Sequence, residues 1–373
     1  MANAPVDYPN EFAGFAVHDT KEWSKPKYTT YKPMEMTPYS VDIEIECCGL
    51  CGSDILTAQG SWGGIQTPQV VGHEIVGKVV KIGSAVTLHK LGDRVGLGAQ
   101  ASCCLDCKRC KENNEQYCAH SVTTYDCEYP DGYVSQGGYA SHVRAHEHLI
   151  FPIPDEIKSE EAASLCCAGL TVYSPLVRYI PKNLPNGQVP RVAILGLGGL
   201  GHLAVQISKA LGAETFVFSR TDAKKEQSFK LGASSFIATE TEGWEKDLFD
   251  SFDVILNCAI GLSGLNIDAF LSILKVEGRF VSVGLPNVEE KYNVSPFTFF
   301  SNGASLCSSA LGSRKEALDL FELCVKHNIR PWIEEIPISE AGCEEGLTRA
   351  WAGDVRYRFV FTEFHKAFGT GSA

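Results

Sequence analysis

The sequence predicts an α/β protein in which a β-rich domain is followed by a doubly wound parallel sheet. Up to about Pro154 the chain is rich in short β-like runs, broken by Gly, Pro and Asp turns. After Glu160, strand-like and helical patterns alternate, and this alternation is typical of a parallel sheet with helices on both faces. At 373 residues, the chain is also long enough for two domains.

Individual elements follow from hydrophobic periodicity and turn residues. In the β-rich part we expect strands at residues 41–46 and 75–82. The alternating part is predicted to contain strands at 191–195, 215–218, 254–258 and 279–283, and a helix at 200–211. The tail carries a predicted helix at 315–327 and an apolar run at 357–362, which must pack against one of the two domains because they form no core alone.

Composition and charge exclude several classes of partner. The chain is 44% apolar and 21% charged, with a net charge of −12, which argues against a nucleic-acid partner. The N-terminal residues do not resemble a secretory signal, and no run of about eighteen apolar residues occurs, so we expect a cytoplasmic protein with no membrane partner. Fifteen cysteines in such a chain favour metal ligation or burial over disulfides.

A first metal site is predicted by four cysteines with the spacing C-x2-C-x2-C-x7-C. They lie in a polar, lysine-rich loop and are Cys104, Cys107, Cys110 and Cys118. Four thiolates suit a closed tetrahedral zinc site, which would stabilise a loop that has no hydrophobic core. An iron–sulfur cluster or a chance grouping are the alternatives. Cys103 does not fit the spacing and is interpreted as an unliganded thiol.

A second, catalytic metal site is predicted by two short segments in the β-rich part. Cys51, with Ser53 and Asp54 close behind it, and His73-Glu74 bring a thiol, an imidazole and carboxylates out of turns. A third zinc ligand is available at Cys166 or Cys167. Two thiolates and one imidazole would leave the fourth position of a zinc ion open for chemistry. Core packing of the same cysteines and histidine is the alternative.

A glycine-rich loop predicts dinucleotide binding. It has the pattern G-x-G-x-x-G, follows a predicted strand and opens a predicted helix, and it consists of Gly196, Leu197, Gly198, Gly199, Leu200 and Gly201. The glycines permit a tight turn, close approach of the pyrophosphate and close helix–strand packing, and the helix N-terminus attracts negative charge.

The end of the next predicted strand indicates NADP(H) as the cofactor. An NAD site would place Asp or Glu there, whereas this chain has Ser219-Arg220, followed by Lys224 and Lys225. Hydroxyl, guanidinium and ammonium donors suit a 2′-phosphate. Because a lysine pair is often only a solvated helix face, Arg220 carries most of this prediction.

Seven segments taken together resemble one family. They are CGLCGSD, VVGHEIVGKVVKIG, QGGYASHV, LCCAGLTVYSPL, GLGGLG, SALGS and DVRYRF. The chain resembles, over nearly its whole length, the zinc-containing medium-chain alcohol dehydrogenases, in particular the cinnamyl alcohol dehydrogenase branch and its broad-specificity fungal NADPH-dependent members. The resemblance implies a GroES-like catalytic domain at 1–166 and 312–373, a Rossmann domain at 167–311, and a homodimer.

The resemblance also implies roles for individual residues. Cys51, His73 and Cys167 would hold the catalytic zinc, with Glu74 beside the metal and able to ligate it in some states. Asp54 would orient the histidine ligand. Ser53 would hydrogen-bond the substrate oxygen and pass on its proton. Thr171 would contact the cofactor, and either Arg356 or Arg358 would reach its pyrophosphate.

The implied activity is interconversion of alcohols and aldehydes with NADP(H), mainly in the direction of aldehyde reduction. Zinc would act as a Lewis acid and NADPH as the hydride donor, on cinnamyl, other aromatic and medium-chain aliphatic aldehydes. One departure is Leu56, where the family commonly has the histidine that ends the proton relay. It motivates an alternative, reduction of a C=C or C=N bond on the same scaffold. A non-catalytic zinc- or NADPH-binding protein is a further alternative, which the intact ligand set disfavours.

Overall fold

The computed structural model describes residues 8–261 and 264–370, and the chain divides into two compact units. Unit 1 contains the residues up to Cys167 together with those from Ile333 onward, and unit 2 contains Ala168–Trp332. Among the described residues, no helix is both long and apolar enough to cross a membrane.

The strands and α-helices of the described residues have the following bounds. The strands are β1 (Phe12–Val17), β2 (Lys27–Tyr31), β3 (Ser40–Gly49), β4 (Gln69–Val70), β5 (Glu74–Ile82), β6 (Arg94–Leu97), β7 (Gln100–Ser102), β8 (Val122–Thr123), β9 (His142–His146), β10 (Ile150–Pro152), β11 (Arg191–Leu195), β12 (Glu214–Ser219), β13 (Ser235–Ala238), β14 (Phe252–Asn257), β15 (Leu274–Ser282), β16 (Ser305–Ser308), β17 (Ile333–Pro337) and β18 (Arg358–Thr362). The α-helices are α1 (Gly52–Ala58), α2 (Lys108–Lys111), α3 (Ser159–Ser164), α4 (Leu170–Tyr179), α5 (Gly201–Ala210), α6 (Lys225–Leu231), α7 (Ile267–Ser272), α8 (Arg314–His327), α9 (Glu340–Trp351) and α10 (Phe364–Phe368).

Unit 1 is built around a seven-stranded sheet. Its strand order is β10-β6-β5-β3-β18-β17, with β9 also paired to β3, and two small sheets, β2-β1-β4 and β7-β8, accompany it. The core contains fully buried side chains such as Ile43, Ile75 and Phe361. Removing a side chain of this size from water stabilises the fold by about 1.5–3 kcal/mol. The sheet therefore gives the turns at its strand ends a rigid base.

Unit 2 contains a six-stranded parallel sheet. Its order is β13-β12-β11-β14-β15-β16, which is 3-2-1-4-5-6 when the strands are numbered within the unit. This is the strand order of the doubly wound dinucleotide-binding fold, in which ligands bind at the carboxyl ends of the strands where the order reverses. The sequence-based fold class, a β-rich domain and a Rossmann sheet, is confirmed.

The structure corrects one predicted domain boundary. The sequence-based division placed residues 312–332 in the first domain, but they belong to unit 2. Helix α8 packs against α4 in that unit, where Glu316 accepts bonds at 2.5 and 3.0 Å from the guanidinium of Arg178. Cys167 also falls in unit 1, one residue beyond the predicted boundary.

Candidate active site and metal centres

A cluster of four potential metal ligands lies in unit 1. Cys51, His73, Glu74 and Cys167 each offer one ligand atom, and these atoms all lie within 4.8 Å of one another. Cys51 is the residue before α1, whereas His73 and Glu74 stand where β5 begins. Cys167 belongs to a π-helical turn, Leu165–Gly169, a distortion that is frequent at functional sites. Residues from three separate turns therefore form the cluster of potential ligands.

The cysteine that joins the cluster is Cys167. Its Sγ lies 3.1 Å from Nε2 of His73. The neighbouring Cys166 points elsewhere, because its Sγ contacts the carbonyl oxygens of Ala162 at 3.5 Å and Ile75 at 3.9 Å. The structure therefore places Cys167, and not Cys166, beside the histidine.

The imidazole of His73 is held from its other nitrogen. Nδ1 lies 2.8 Å from Oδ1 of Asp54 and 3.1 Å from the hydroxyl of Tyr125. Asp54 is itself fixed, since its Oδ2 accepts bonds from the backbone N–H of Cys51 at 2.8 Å and from the hydroxyl of Tyr139 at 3.0 Å. A carboxylate beside Nδ1 is the usual way of turning Nε2 toward a metal.

The two thiols of the cluster, Cys51 and Cys167, have pKa values shifted in opposite directions. A hydrogen bond with Cys167 lowers the pKa of Cys51 well below its usual value, although burial opposes the change. The same bond, together with burial, raises the pKa of Cys167. Because the thiolate is the form that binds metals, Cys51 is prepared for ligation by its surroundings.

Glu74 forms a buried ion pair with Arg358. One carboxylate oxygen, Oε1, accepts a bond from Nη2 of Arg358, and both side chains are almost fully buried. The other oxygen, Oε2, is buried and has no hydrogen-bond partner among the described residues. Burial raises the pKa of Glu74 to about 7, against the lowering effect of Arg358.

The donor set fits zinc. Two thiols, one imidazole nitrogen and a carboxylate oxygen without a partner are the ligand types that catalytic zinc takes in proteins. Ser53, in the first turn of α1, is half-buried next to Asp54. The ligands predicted from the sequence for the second metal site therefore converge, together with Ser53 and Asp54.

The four loop cysteines also converge. The Sγ atoms of Cys104, Cys107, Cys110 and Cys118 lie at separations that include 3.4, 3.5 and 3.9 Å. A backbone N–H from Cys107 lowers the pKa of Cys104 to about 6. Burial instead raises the pKa of Cys103 to about 11, and Cys103 lies outside the group of four. Four thiols alone fit a structural zinc ion.

In unit 2 the glycine loop stands between β11 and α5. Lys224 donates a hydrogen bond from Nζ to the carbonyl oxygen of Leu197, at 2.7 Å, and so lies against the loop. Ser219 ends β12, the strand beside β11, and the Arg220 side chain that follows is exposed. Thr171 is buried in the first turn of α4. The loop and the basic side chains therefore lie at the carboxyl edge of one sheet, as the sequence predicts.

Three site residues are not predicted by the sequence. Tyr125 and Tyr139 belong to no motif, and the family resemblance assigns Arg358 only to the cofactor. Periodicity carries no signal for these contacts, because Tyr139 is 85 residues from Asp54, and Arg358 is 284 residues from Glu74.

Comparisons with known proteins identify the family of the chain. Residues 37–155 match the alcohol dehydrogenase GroES-like domain, and residues 199–326 match the zinc-binding dehydrogenase family. The NADP-dependent alcohol dehydrogenase 6 of Saccharomyces cerevisiae is 47% identical over 97% of this chain and 99% of its own.

Solved structures show the same likeness. A cinnamyl alcohol dehydrogenase of Sorghum bicolor superposes with a TM-score of 0.86 at 27% identity, covering 94% of this chain and 97% of that one. The CAD of Helicobacter pylori, solved as a complex with NADP(H), gives a TM-score of 0.83 at 30% identity, over 94% and 98% of the two chains. The resemblance seen in the sequence is confirmed, and the chain belongs to the zinc-binding alcohol dehydrogenase family.

Proposed function

We propose that this dehydrogenase works mainly as an NADPH-dependent aldehyde reductase, acting on cinnamyl, other aromatic and medium-chain aliphatic aldehydes. The observation that carries the proposal is the convergence of Cys51, His73 and Cys167, with Ser53 beside them in α1. Zinc and NADP(H) are its cofactors: zinc supplies a Lewis acid for the carbonyl oxygen, and NADPH supplies the hydride.

The residues of unit 1 have distinct tasks in this scheme. Cys51, His73 and Cys167 hold the catalytic zinc. Asp54 keeps Nδ1 of His73 occupied, so that Nε2 is directed at the metal. The Ser53 hydroxyl hydrogen-bonds the substrate oxygen and donates the proton of the alcohol product.

Glu74 lies beside the same zinc site and would ligate the metal in some states of the enzyme. Its Oε2 has no hydrogen-bond partner among the described residues, while Arg358 holds the other oxygen. A buried acceptor without a partner is costly, and this cost would be relieved when the oxygen ligates the metal. Cys104, Cys107, Cys110 and Cys118 hold a second zinc ion, whose role is structural.

NADP(H) selection falls to unit 2. The backbone of the glycine loop and the N-terminus of α5 bind the pyrophosphate, with Thr171 as a further contact. Ser219, Arg220 and Lys224 bind the 2′-phosphate, since an exposed guanidinium and an ammonium group suit a doubly charged anion.

A homodimer in the cytoplasm is the state in which we expect the enzyme to work. Strand β16 is an edge of the parallel sheet, and an edge strand with unpaired backbone groups favours pairing with a second copy. Near it in the sequence, Phe297 and Phe300 are 81% and 84% exposed, as suits a covered surface. None of the fifteen cysteines, all of them among the described residues, forms a disulfide, which suits a reducing compartment.

Reduction of a C=C or C=N bond is the second candidate. Leu56 is buried in α1 and cannot carry a proton, so a different proton path from that of typical family members is required. A reductase of unsaturated bonds on this scaffold would need no relay through that position.

The test uses the zinc-loaded protein with cinnamaldehyde, following oxidation of NADPH and, in parallel, NADH. We expect rapid oxidation with NADPH only, loss of the rate after chelation of zinc, and cinnamyl alcohol as product. A saturated aldehyde as product would establish the second candidate instead. A rate of aldehyde reduction that survives complete removal of zinc would refute the zinc-dependent scheme.

One substitution tests the selection of NADPH over NADH. Arg220→Asp should lower kcat/KM for NADPH and raise the ratio in favour of NADH, because the carboxylate repels a 2′-phosphate and accepts bonds from ribose hydroxyls. The matched control is Lys225→Ala, which removes an exposed ammonium paired with Asp222 on the same segment. An unchanged NADPH/NADH ratio in Arg220→Asp would remove Arg220 from the cofactor site.

A further inference from the structure

Tyr125 places a buried hydroxyl beside His73, one of the proposed zinc ligands. The side chain is 8% exposed, and its ring centroid lies 5.5 Å from that of His73. The hydroxyl oxygen is 3.1 Å from Nδ1 of His73 and also bonds to the side chains of Asp54 and Ser53. One phenol thus touches a proposed metal ligand, the carboxylate that orients it and the proposed proton donor.

The protonation of the His73 ring decides which atom donates in its contact with Tyr125. When Nε2 is a metal ligand, the neutral ring carries its one proton on Nδ1. That N–H has two acceptors within reach, Oδ1 of Asp54 at 2.8 Å and the Tyr125 oxygen at 3.1 Å. Two contacts at one ring nitrogen restrict the imidazole more than a single carboxylate does. The hydroxyl proton of Tyr125 is directed at Asp54.

Ser53 also has the Tyr125 hydroxyl as a hydrogen-bond partner. Leu56, one turn further along α1, is apolar and offers Ser53 no hydrogen bond. The Tyr125 hydroxyl supplies a partner from outside the helix, and Ser53 is the donor in that bond. A serine side chain held by such a bond keeps one orientation before substrate arrives.

We propose that Tyr125 is a positioning residue of this active site, holding His73 for zinc and Ser53 for the substrate oxygen. This inference rests on the proposed function, since it assigns Tyr125 to the same metal site. It goes beyond that function because it assigns a role to a side chain that is neither a proposed zinc ligand nor the proposed proton donor.

The experiment compares Tyr125→Phe with the wild-type protein, both fully loaded with zinc. The variant keeps the ring and loses only the hydroxyl. Zinc release into excess chelator is recorded by the colour of the chelator complex, which resolves two sites that release at different rates. We expect one of the two zinc ions to leave about tenfold faster or more, the other to leave at the wild-type rate, and kcat to fall while KM for NADPH is unchanged.

The control is Tyr129→Phe, which removes a phenol hydroxyl from the same loop region, where its ring faces Tyr133 at 6.2 Å instead of His73. It should release both ions at wild-type rates. Equal release rates in Tyr125→Phe and the wild type would overturn the proposal, as would a general loss of both ions or of melting temperature. Because metal release is measured without substrate, this result stands apart from the aldehyde assay.

Discussion

Arg358 and Glu74 form an ion pair in the interior of unit 1, with 5% and 0% of the two residues exposed. Glu74 begins β5 and Arg358 begins β18, and β3 lies between these strands in the sheet. The pair therefore spans three neighbouring strands beside the ligand cluster. Because a buried charge is tolerated only when it is paired, each side chain is necessary to the other.

Replacing the arginine of this pair should be strongly destabilising. In Arg358→Met the carboxylate of Glu74 keeps its burial and loses its cation, and the expected cost is about 3–5 kcal/mol in the free energy of unfolding. Urea unfolding of the zinc-loaded protein measures it. Arg356→Met, which removes an exposed arginine two residues earlier, should change stability by less than about 0.5 kcal/mol. Similar losses in the two variants would show that the pair contributes no special stability.

The glycine loop allows folding and cofactor binding to be separated. A Cβ on Gly201 would lie 1.9 Å from the carbonyl oxygen of Gly196, whereas a Cβ on Gly198 would meet nothing within 4 Å. Gly201→Ala should therefore destabilise unit 2, by about 1–3 kcal/mol, because backbone must move. Gly198→Ala should fold normally but fill the space through which a pyrophosphate approaches the backbone.

The two alanine variants are measured together. The melting temperature without cofactor should be lowered only in Gly201→Ala. The KM for NADPH should rise about tenfold or more in Gly198→Ala. Normal NADPH binding by Gly198→Ala would place the pyrophosphate elsewhere.

Local patterns were sufficient to predict most elements. Strand β11 has the predicted bounds, and α5 and α8 begin and end within one residue of the predictions. These elements depend on hydrophobic periodicity and on residues at their ends, such as Ser313, whose hydroxyl accepts a bond from the backbone N–H of Glu316. Such information lies within a few residues of the element itself.

Contacts between distant residues account for what the sequence did not predict. Helix α8 was found but assigned to the wrong unit, because its partner Arg178 is 138 residues from Glu316. Spacing left Cys166 and Cys167 undecided, and the π-helical turn that orients Cys167 has no sequence pattern of its own. Ligand types were recognisable from motifs, whereas the hydroxyls and the guanidinium that support them were visible only in three dimensions.

Acid should destabilise the protein through His142. Burial lowers the pKa of this histidine to about 4, and its ring stacks on Phe12 with centroids 5.1 Å apart. Asp42, which pairs with Arg144, raises the pKa only in part. The folded protein binds this proton less readily than the unfolded chain, so stability is present above the unfolded pKa of 6.5 and is lost as the pH falls toward 4.

The expected size of this effect is about 2 kcal/mol between roughly pH 7 and roughly pH 5, since one pKa unit corresponds to about 1.4 kcal/mol. Urea unfolding at both pH values compares the wild type with His142→Gln, in which the loss should be smaller by that amount. His365→Gln, at an exposed histidine, is the control and should keep the wild-type pH dependence. An equal acid loss in wild type and His142→Gln would exclude His142 as the cause.

The zinc content of cysteine variants should distinguish the four loop cysteines from the neighbouring Cys103. Cys110→Ser removes one of the four converging thiols, and we expect the metal content to fall from two zinc ions per chain to one, because a structural zinc needs all four ligands. Elemental analysis after dialysis measures this directly. Cys103→Ser, seven residues earlier and outside the group of four, should retain both ions. Loss of zinc from Cys103→Ser with retention in Cys104→Ser would show that Cys103, and not Cys104, is the ligand.

The same zinc ion should protect its loop from proteolysis. The loop around these cysteines contains only the short helix α2 and a short 3₁₀ turn. Cys110→Ser should therefore become sensitive to proteolysis there, while aldehyde reduction continues.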